Sequence, residues 1–154
     1  MADELIAIVT NTAQAYRAKA LAYGYGIQIT RFVVGNSGHD PSNPRLPLTP
    51  DPSRTGCYCG ADSITTTGGC VFTDVIDAIT WVNEFCAVYT CRLESTEAIG
   101  VVSSICLVAE IVYSPIPSDP LVGTEFLYGI VNLPYRVKVA GEVLSLDIAI
   151  PTKL

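Results

Sequence analysis

The sequence predicts an α+β domain: an N-terminal helix packed on a mainly antiparallel β-sheet or small β-sandwich, with a long Pro-rich loop between them. Three patterns carry this expectation. Apolar residues recur at helical spacing near the start, and apolar and polar residues alternate with a period of two through much of 72–150. Between these regimes, Pro41, Pro44, Pro47, Pro50 and Pro52 interrupt any regular pattern. A chain of 154 residues is enough for one domain with a sizeable core. The expected organisation is one domain over 1–154, with a helix over 3–23, an extended arm over 36–69 and mainly strands over 72–150.

The helix rests on Leu5, Ile8, Val9, Thr12, Ala13, Tyr16 and Ala20, which fall on one face at 3.6 residues per turn. Asp3 and Glu4 suit its positive end, Arg17 and Lys19 its negative end, and Gly24 and Gly26 stop it. A strand follows from about 27 to 35. Ile27 and Ile29 alternate with polar neighbours, then Phe32, Val33 and Val34 are all apolar. Such a phase slip marks a bulge or a strand covered on both faces.

From Asn36 to Gly69 periodicity vanishes. A loop this long is uncommon inside a compact domain unless it has a task, and its prolines suit a stiff arm lying on a neighbouring subunit, with a plain surface loop as the other reading. Residues 72–82 fit either a short helix or a strand. Over 84–94, Phe85, Ala87, Tyr89, Cys91 and Leu93 share one side of a strand, and 99–113 read as a long strand bulged at Ser103–Ser104. Pro-rich residues 114–123 turn the chain into its final segment. Residues 125–150 read as one strand, a break at Asn132–Pro134, and a hairpin turning at Ala140–Glu142. Tyr135, Val137 and Val139 would face the core there, with Arg136 and Lys138 outward against Glu142 and Asp147.

Composition narrows the function. The chain is 49% hydrophobic and 16% charged, against roughly 25% charged in ordinary soluble domains. A surface so poor in charge is expected to be covered partly by other subunits. The net charge of −6 and scattered basic residues argue against nucleic acid. No apolar run is long enough for a membrane-spanning helix, and MADELIAIV carries acids where a signal peptide carries Lys or Arg.

The candidate chemistry is sparse. Cys57, Cys59 and Cys70, with His39 as a fourth donor, are the weak candidates for a metal site. One CxC with a single distant Cys lacks the paired spacing of structural zinc sites. A disulfide from Cys57 or Cys59 to Cys70, and free thiols, stand beside that reading. Cys86, Cys91 and Cys106 lie in apolar strands as reduced core residues. His39 beside Asp40 has a turn-like context, and Glu94, Glu97, Glu110, Asp74 and Asp77 show no dyad spacing. No nucleophile–base constellation, P-loop or dinucleotide fingerprint is present. The residues alone therefore predict a non-enzyme without cofactor.

One resemblance does emerge. The helix running into AKALAYGYGIQITRFVVGNSGHDPSNP resembles the N-terminal attachment domain of phage tail-collar and tail-fibre proteins. The matching elements are Ala18, Ala20, Ala22 and Gly24, then the strand Ile27–Val34, then Gly35–Asn36. Residues 84–94, 99–113 and 125–150 resemble the family's later strands and final apolar hairpin. The loop bearing Cys57, Cys59 and Cys70 looks like an insertion, and the chain stops at Leu154 where fibre proteins continue into a shaft. The resemblance implies an attachment module without the fibre. It would be a virion protein of tail or baseplate, assembled in the host cytoplasm, homo-oligomeric, and bound to other tail, baseplate or fibre proteins through Pro41, Pro44, Pro47, Pro50 and Pro52. Two alternatives fit the same sequence: a head-decoration or neck protein, and a disulfide-stapled surface binding module.

Overall fold

The structure, a computed structural model, describes residues 4–59, 63–83 and 86–151. It is a mostly β protein, with one short helix among the described residues. In chain order the elements are β1 (Glu4–Ile6), β2 (Ile8–Val9), α1 (Asn11–Tyr23), β3 (Gly26–Gly35), β4 (His39–Asp40) and β5 (Asn43–Pro47). They continue with β6 (Phe72–Val75), β7 (Ala78–Asn83), β8 (Cys86–Leu93), β9 (Gly100–Val101), β10 (Ser104–Tyr113), β11 (Glu125–Asn132), β12 (Val137–Lys138) and β13 (Leu144–Pro151). One sheet has the order β1-β13-β8-β7 and the other β2-β11-β10-β3-β6. Every pairing in them is antiparallel except β1 with β13.

The five-stranded sheet is the middle layer, because its strands are apolar on both faces. Phe32, Val34, Ile105, Leu107, Ile111 and Phe126 face a core shared with Cys91, Leu93, Ile148 and Ile150 of the four-stranded sheet. Helix α1 joins the same core through buried Ala13 and through Tyr16, which stacks on Phe126 with ring centroids 4.3 Å apart. On the opposite face Val33, Cys106, Val108, Leu127 and Ile130 lie beneath Tyr58, Cys57, Cys59 and Cys70.

The phase slip in β3 has both of its expected causes. Arg31 opposes Val108 while Ile29 opposes Ala109, so Thr30 is an extra residue, and Ile27 and Ile29 return to the face of Phe32 and Val34. Val33 meanwhile serves the second cluster. A similar bulge in β11 makes Tyr128 the extra residue and turns Gly129 inward. A methyl there would stand 2.9 Å from Ile150 Cδ1 and 3.3 Å from Ala7 Cβ, so the two sheets pack closely over this glycine and a larger residue would make Ile150 shift.

Three expectations are corrected. The helix does not span 3–23: its start is set by Thr10, whose Oγ1 accepts from Ala13 N at 3.1 Å and donates to the Leu127 carbonyl at 2.6 Å. Leu5, Ile8 and Val9 precede that cap in β-strands, where the β-branched pair suits edge pairing with β13 and β11 better than a helical turn. Glu4 thus lies in β1 rather than in the helix's first turn, and Asp3 lies outside the described residues. The helix does stop at Gly24, whose left-handed backbone lets its N–H reach the Ala20 carbonyl at 2.8 Å.

The final hairpin is also absent. The turn at Ala140–Gly141 forms, but β12 pairs with β9, and β13 lies between β1 and β8 with eight residues in register against β8. A central strand gains far more backbone pairing from β8 than the short Val137–Lys138 segment could supply. The faces of β12 are inverted as well. Tyr135, Val137 and Val139 are exposed, whereas Lys138 is 0% exposed.

The third correction concerns the arm over 36–69. Its described residues fold back on their own sheet, through the β4–β5 hairpin and then the cysteine-bearing stretch. The ambiguous residues 72–82 are two strands, β6 and β7, broken at Ile76–Asp77. The long strand at 99–113 is divided at Val102–Ser103 into β9 and β10. In β8, Ala87, Cys91 and Leu93 are buried on one side as expected, and Phe85 lies outside the described residues.

Candidate functional site: the cysteine-bearing cap and an open sheet edge

The cap is held on the middle sheet by backbone contact that one small residue permits. Ser37 N donates to the Tyr58 carbonyl at 2.9 Å, and a methyl on Gly35 would run into that same carbonyl. Cys59 and Cys70 are joined by a disulfide with Cα atoms 5.2 Å apart, and Cys57 is a fully buried free thiol. Arg54 lies 3.6 Å over the Tyr58 ring, and the Tyr58 hydroxyl accepts from Asp51 N at 2.9 Å. Arg31 ties the cap's far end down. It donates to the Ile64 carbonyl at 2.7 Å and to Thr73 Oγ1 at 3.0 Å, and forms a two-pronged ion pair with Glu125.

This arrangement separates the four candidate metal ligands. Two are consumed by the disulfide, and His39 turns elsewhere, with Nδ1 3.0 Å from Ser103 Oγ and its ring edge against Tyr135. Among the described residues no group of three or more His, Cys, Asp or Glu side chains could hold a metal ion. The donor set Cys57, Cys59, Cys70 and His39 therefore does not fit a metal. Asp40 is not paired with His39 but accepts from Ser42 N at 2.8 Å.

Four of the five other candidate acids, all but Glu110, are engaged locally. Asp77 accepts from Arg92 N, Glu94 pairs with Arg92, Glu97 accepts from Glu94 N, and Asp74 accepts from Val75 N. A groove of about 580 Å³ beside α1 is lined by Ala18, Ala20, Leu21 and Ile27, with Arg17 as its one charged residue. It has no convergent acid–base pair.

Four of the five prolines, Pro41, Pro44, Pro47 and Pro52, are exposed, and Pro50 is half-buried. Their segment is nonetheless tethered within the chain. Tyr135 N donates to the Pro44 carbonyl at 2.8 Å, Asn11 N to that of Pro52 at 2.8 Å, and Asn132 Nδ2 to that of Leu48 at 3.1 Å.

A more open surface, which the sequence reading did not single out, is strand β7. It pairs with β8 on one side and ends its sheet on the other. Ile79, Trp81 and Val82 are all exposed, Trp81 at 67%, and Ala78–Asn83 carries no charge. Natural edge strands are protected by charge, proline, bulges or short length; β7 carries no charge or proline, and its register shifts between Trp81 and Asn83. The sequence signal was present in AITWV, but its ambiguity between helix and strand concealed the edge.

No protein-family model, no curated protein and no solved structure matches this chain. No helix among the described residues is long and apolar enough to cross a membrane.

Proposed function

We propose that this protein is a bacteriophage virion structural protein of the tail or baseplate, an adaptor that attaches tail fibres or neighbouring baseplate proteins and assembles as a homo-oligomer. It acts without catalysis, and its site is the assembled particle, built in the host cytoplasm. The resemblance of residues 18–36 to fibre attachment domains supports the class. The observation that carries the assembly role is the uncharged, apolar, one-sided edge of β7. Backbone pairing along that edge would join subunits, and burial of Ile79 and Trp81 would add apolar area. The exposed prolines form a second contact surface, stiff before binding and so cheap in entropy to order.

The disulfide between Cys59 and Cys70 favours one other reading, a stapled surface binding module. That reading also calls for Cys86, Cys91 and Cys106 all to be oxidised, whereas Cys86 and Cys91 are free thiols on strand β8. The adaptor is the better account.

Light scattering during size exclusion tests it, on the native chain and on Trp81→Lys. A discrete native oligomer that the substitution converts to folded monomers supports the reading. Native protein that stays monomeric and fails to co-sediment with phage tails lacking it would refute the adaptor role.

A further inference from the structure

The cap holds a second pair of cysteines. Cys57 and Cys106 are both fully buried free thiols, one in the cap and one in strand β10 of the sheet beneath it. A single hydroxyl lies within reach of both: Ser104 Oγ is 3.4 Å from Cys57 Sγ and 3.6 Å from Cys106 Sγ. Two further contacts place the Cys57 sulfur. It points at the Val33 carbonyl at 3.8 Å, and Val33 is the residue directly opposite Cys106 in the β3–β10 pairing. The nearby Gly35 leaves the space, since a methyl there would stand 3.1 Å from Cys57 Sγ. Burial, and then the neighbouring Cys57 thiol, push the Cys106 thiol well above its ordinary pKa. At neutral pH the Cys106 thiol is therefore protonated and slow to react.

We propose that Cys57 and Cys106 are a latent disulfide, a second staple that bonds the cap covalently to the middle sheet once the protein meets an oxidising environment. The oxidant would be a low-molecular-weight disulfide such as glutathione disulfide. One protein thiolate attacks it, forming a mixed disulfide and expelling one glutathione thiolate. The second protein thiolate then attacks the protein sulfur of that mixed disulfide and expels the other. Two protein thiols lose two protons and two electrons, and one small disulfide becomes two thiols. The existing Cys59–Cys70 bond closes a loop within the cap, whereas this one would tie cap to sheet across 49 positions of sequence. It would therefore restrict the unfolded chain more. A protein made in a reducing cytosol and released into air would acquire the second bond only after release.

The experiment treats the intact folded protein with glutathione disulfide at mildly alkaline pH, then alkylates remaining thiols under denaturing conditions and maps the peptides without reduction. Chymotryptic cleavage after Tyr58 separates Cys57 from Cys59, so each can be assigned. The expected result is a cross-link between the Cys57 and Cys106 peptides, with Cys59–Cys70 retained, and a melting temperature several degrees higher. In Cys106→Ala the cross-link should vanish while the Cys59–Cys70 bond persists. Full alkylation of both Cys57 and Cys106 would overturn the proposal. So would exchange of Cys57 into bonds with Cys59 or Cys70, or a cross-link that leaves the melting temperature unchanged.

Discussion

Lys138 Nζ donates to the backbone carbonyl of Glu94 at 2.7 Å from a position with no solvent exposure. The contact joins the β9–β12 ribbon to the end of β8 and inverts the apolar alternation of residues 135–139. Its ammonium is a buried cation supported by a carbonyl dipole, and its four-carbon stem fills space in the interior. Lys138→Ala leaves a cavity and removes one of two hydrogen bonds to the Glu94 carbonyl, which Glu97 N also reaches at 3.0 Å, and should cost about 2–4 kcal/mol in urea unfolding. Lys138→Met restores the volume without the charge and should recover more than half of that loss. Equal losses in the two variants would mean that the hydrogen bond, not the packing, holds the ribbon.

The cap depends on Gly35. A methyl there meets the Tyr58 carbonyl, which is backbone and cannot rotate away. Gly35→Ala should therefore destabilise by about 3 kcal/mol, the upper end for overpacking. Amide exchange should rise first at residues 57–59, while β10 and β13 stay protected.

Reducing the Cys59–Cys70 bond removes a short loop constraint on the unfolded chain. Chain entropy for a loop of this size corresponds to about 3 kcal/mol. Denaturant unfolding with and without a dithiol reductant measures it, and Cys59→Ser/Cys70→Ser should match the reduced protein. Exposure of Val33, Leu127 and Ile130 beneath the loosened cap should appear as increased binding of a hydrophobic dye.

The Pro-rich turn before β11 has a pH dependence with a defined sign. Asp119 accepts from Leu121 N at 2.9 Å, Ser114 Oγ at 2.7 Å and the Tyr25 hydroxyl at 2.9 Å. These bonds, the Leu121 amide foremost, hold its pKa below the ordinary carboxylate value. A folded-state pKa below the unfolded one gives stability that is present at neutral pH and lost as pH falls through the folded value. The same contact raises the Tyr25 pKa, so its contribution is present below about pH 10 and lost as pH rises through the folded value. Unfolding curves should show that Asp119→Asn flattens the acid limb below about pH 4, and Tyr25→Phe the alkaline limb. An acid limb in Asp119→Asn as steep as the native one would show that other carboxylates set it.

The second layer of cysteines was half legible. Their position in a loop free of periodicity separated Cys57, Cys59 and Cys70 from the strand cysteines. Spacing, however, could not choose among a disulfide, a metal site and free thiols. That choice needed the path of the cap over Gly35, which brings Cys59 to Cys70 and Cys57 to Cys106. The open edge of β7 was missed for a related reason: AITWV reads alike as helix or strand until its neighbour β8 is in place.

Local pattern alone determined much of the scaffold. Period-two alternation located β8 and β13, the run Phe32–Val34 pointed to a bulge or a strand covered on both faces, and Gly24 ended the helix. These are properties of neighbouring residues, set by side-chain alternation and backbone sterics. Only the tertiary structure decided which strands pair. Leu5 to Val9 became strand because β13 and β11 offered unpaired backbone edges, and β13 chose β8 over the nearer β12 because the longer ladder satisfies more backbone groups. Lys138 turned inward because the Glu94 carbonyl awaited it there. Each outcome was set by a partner distant in sequence, which periodicity cannot see.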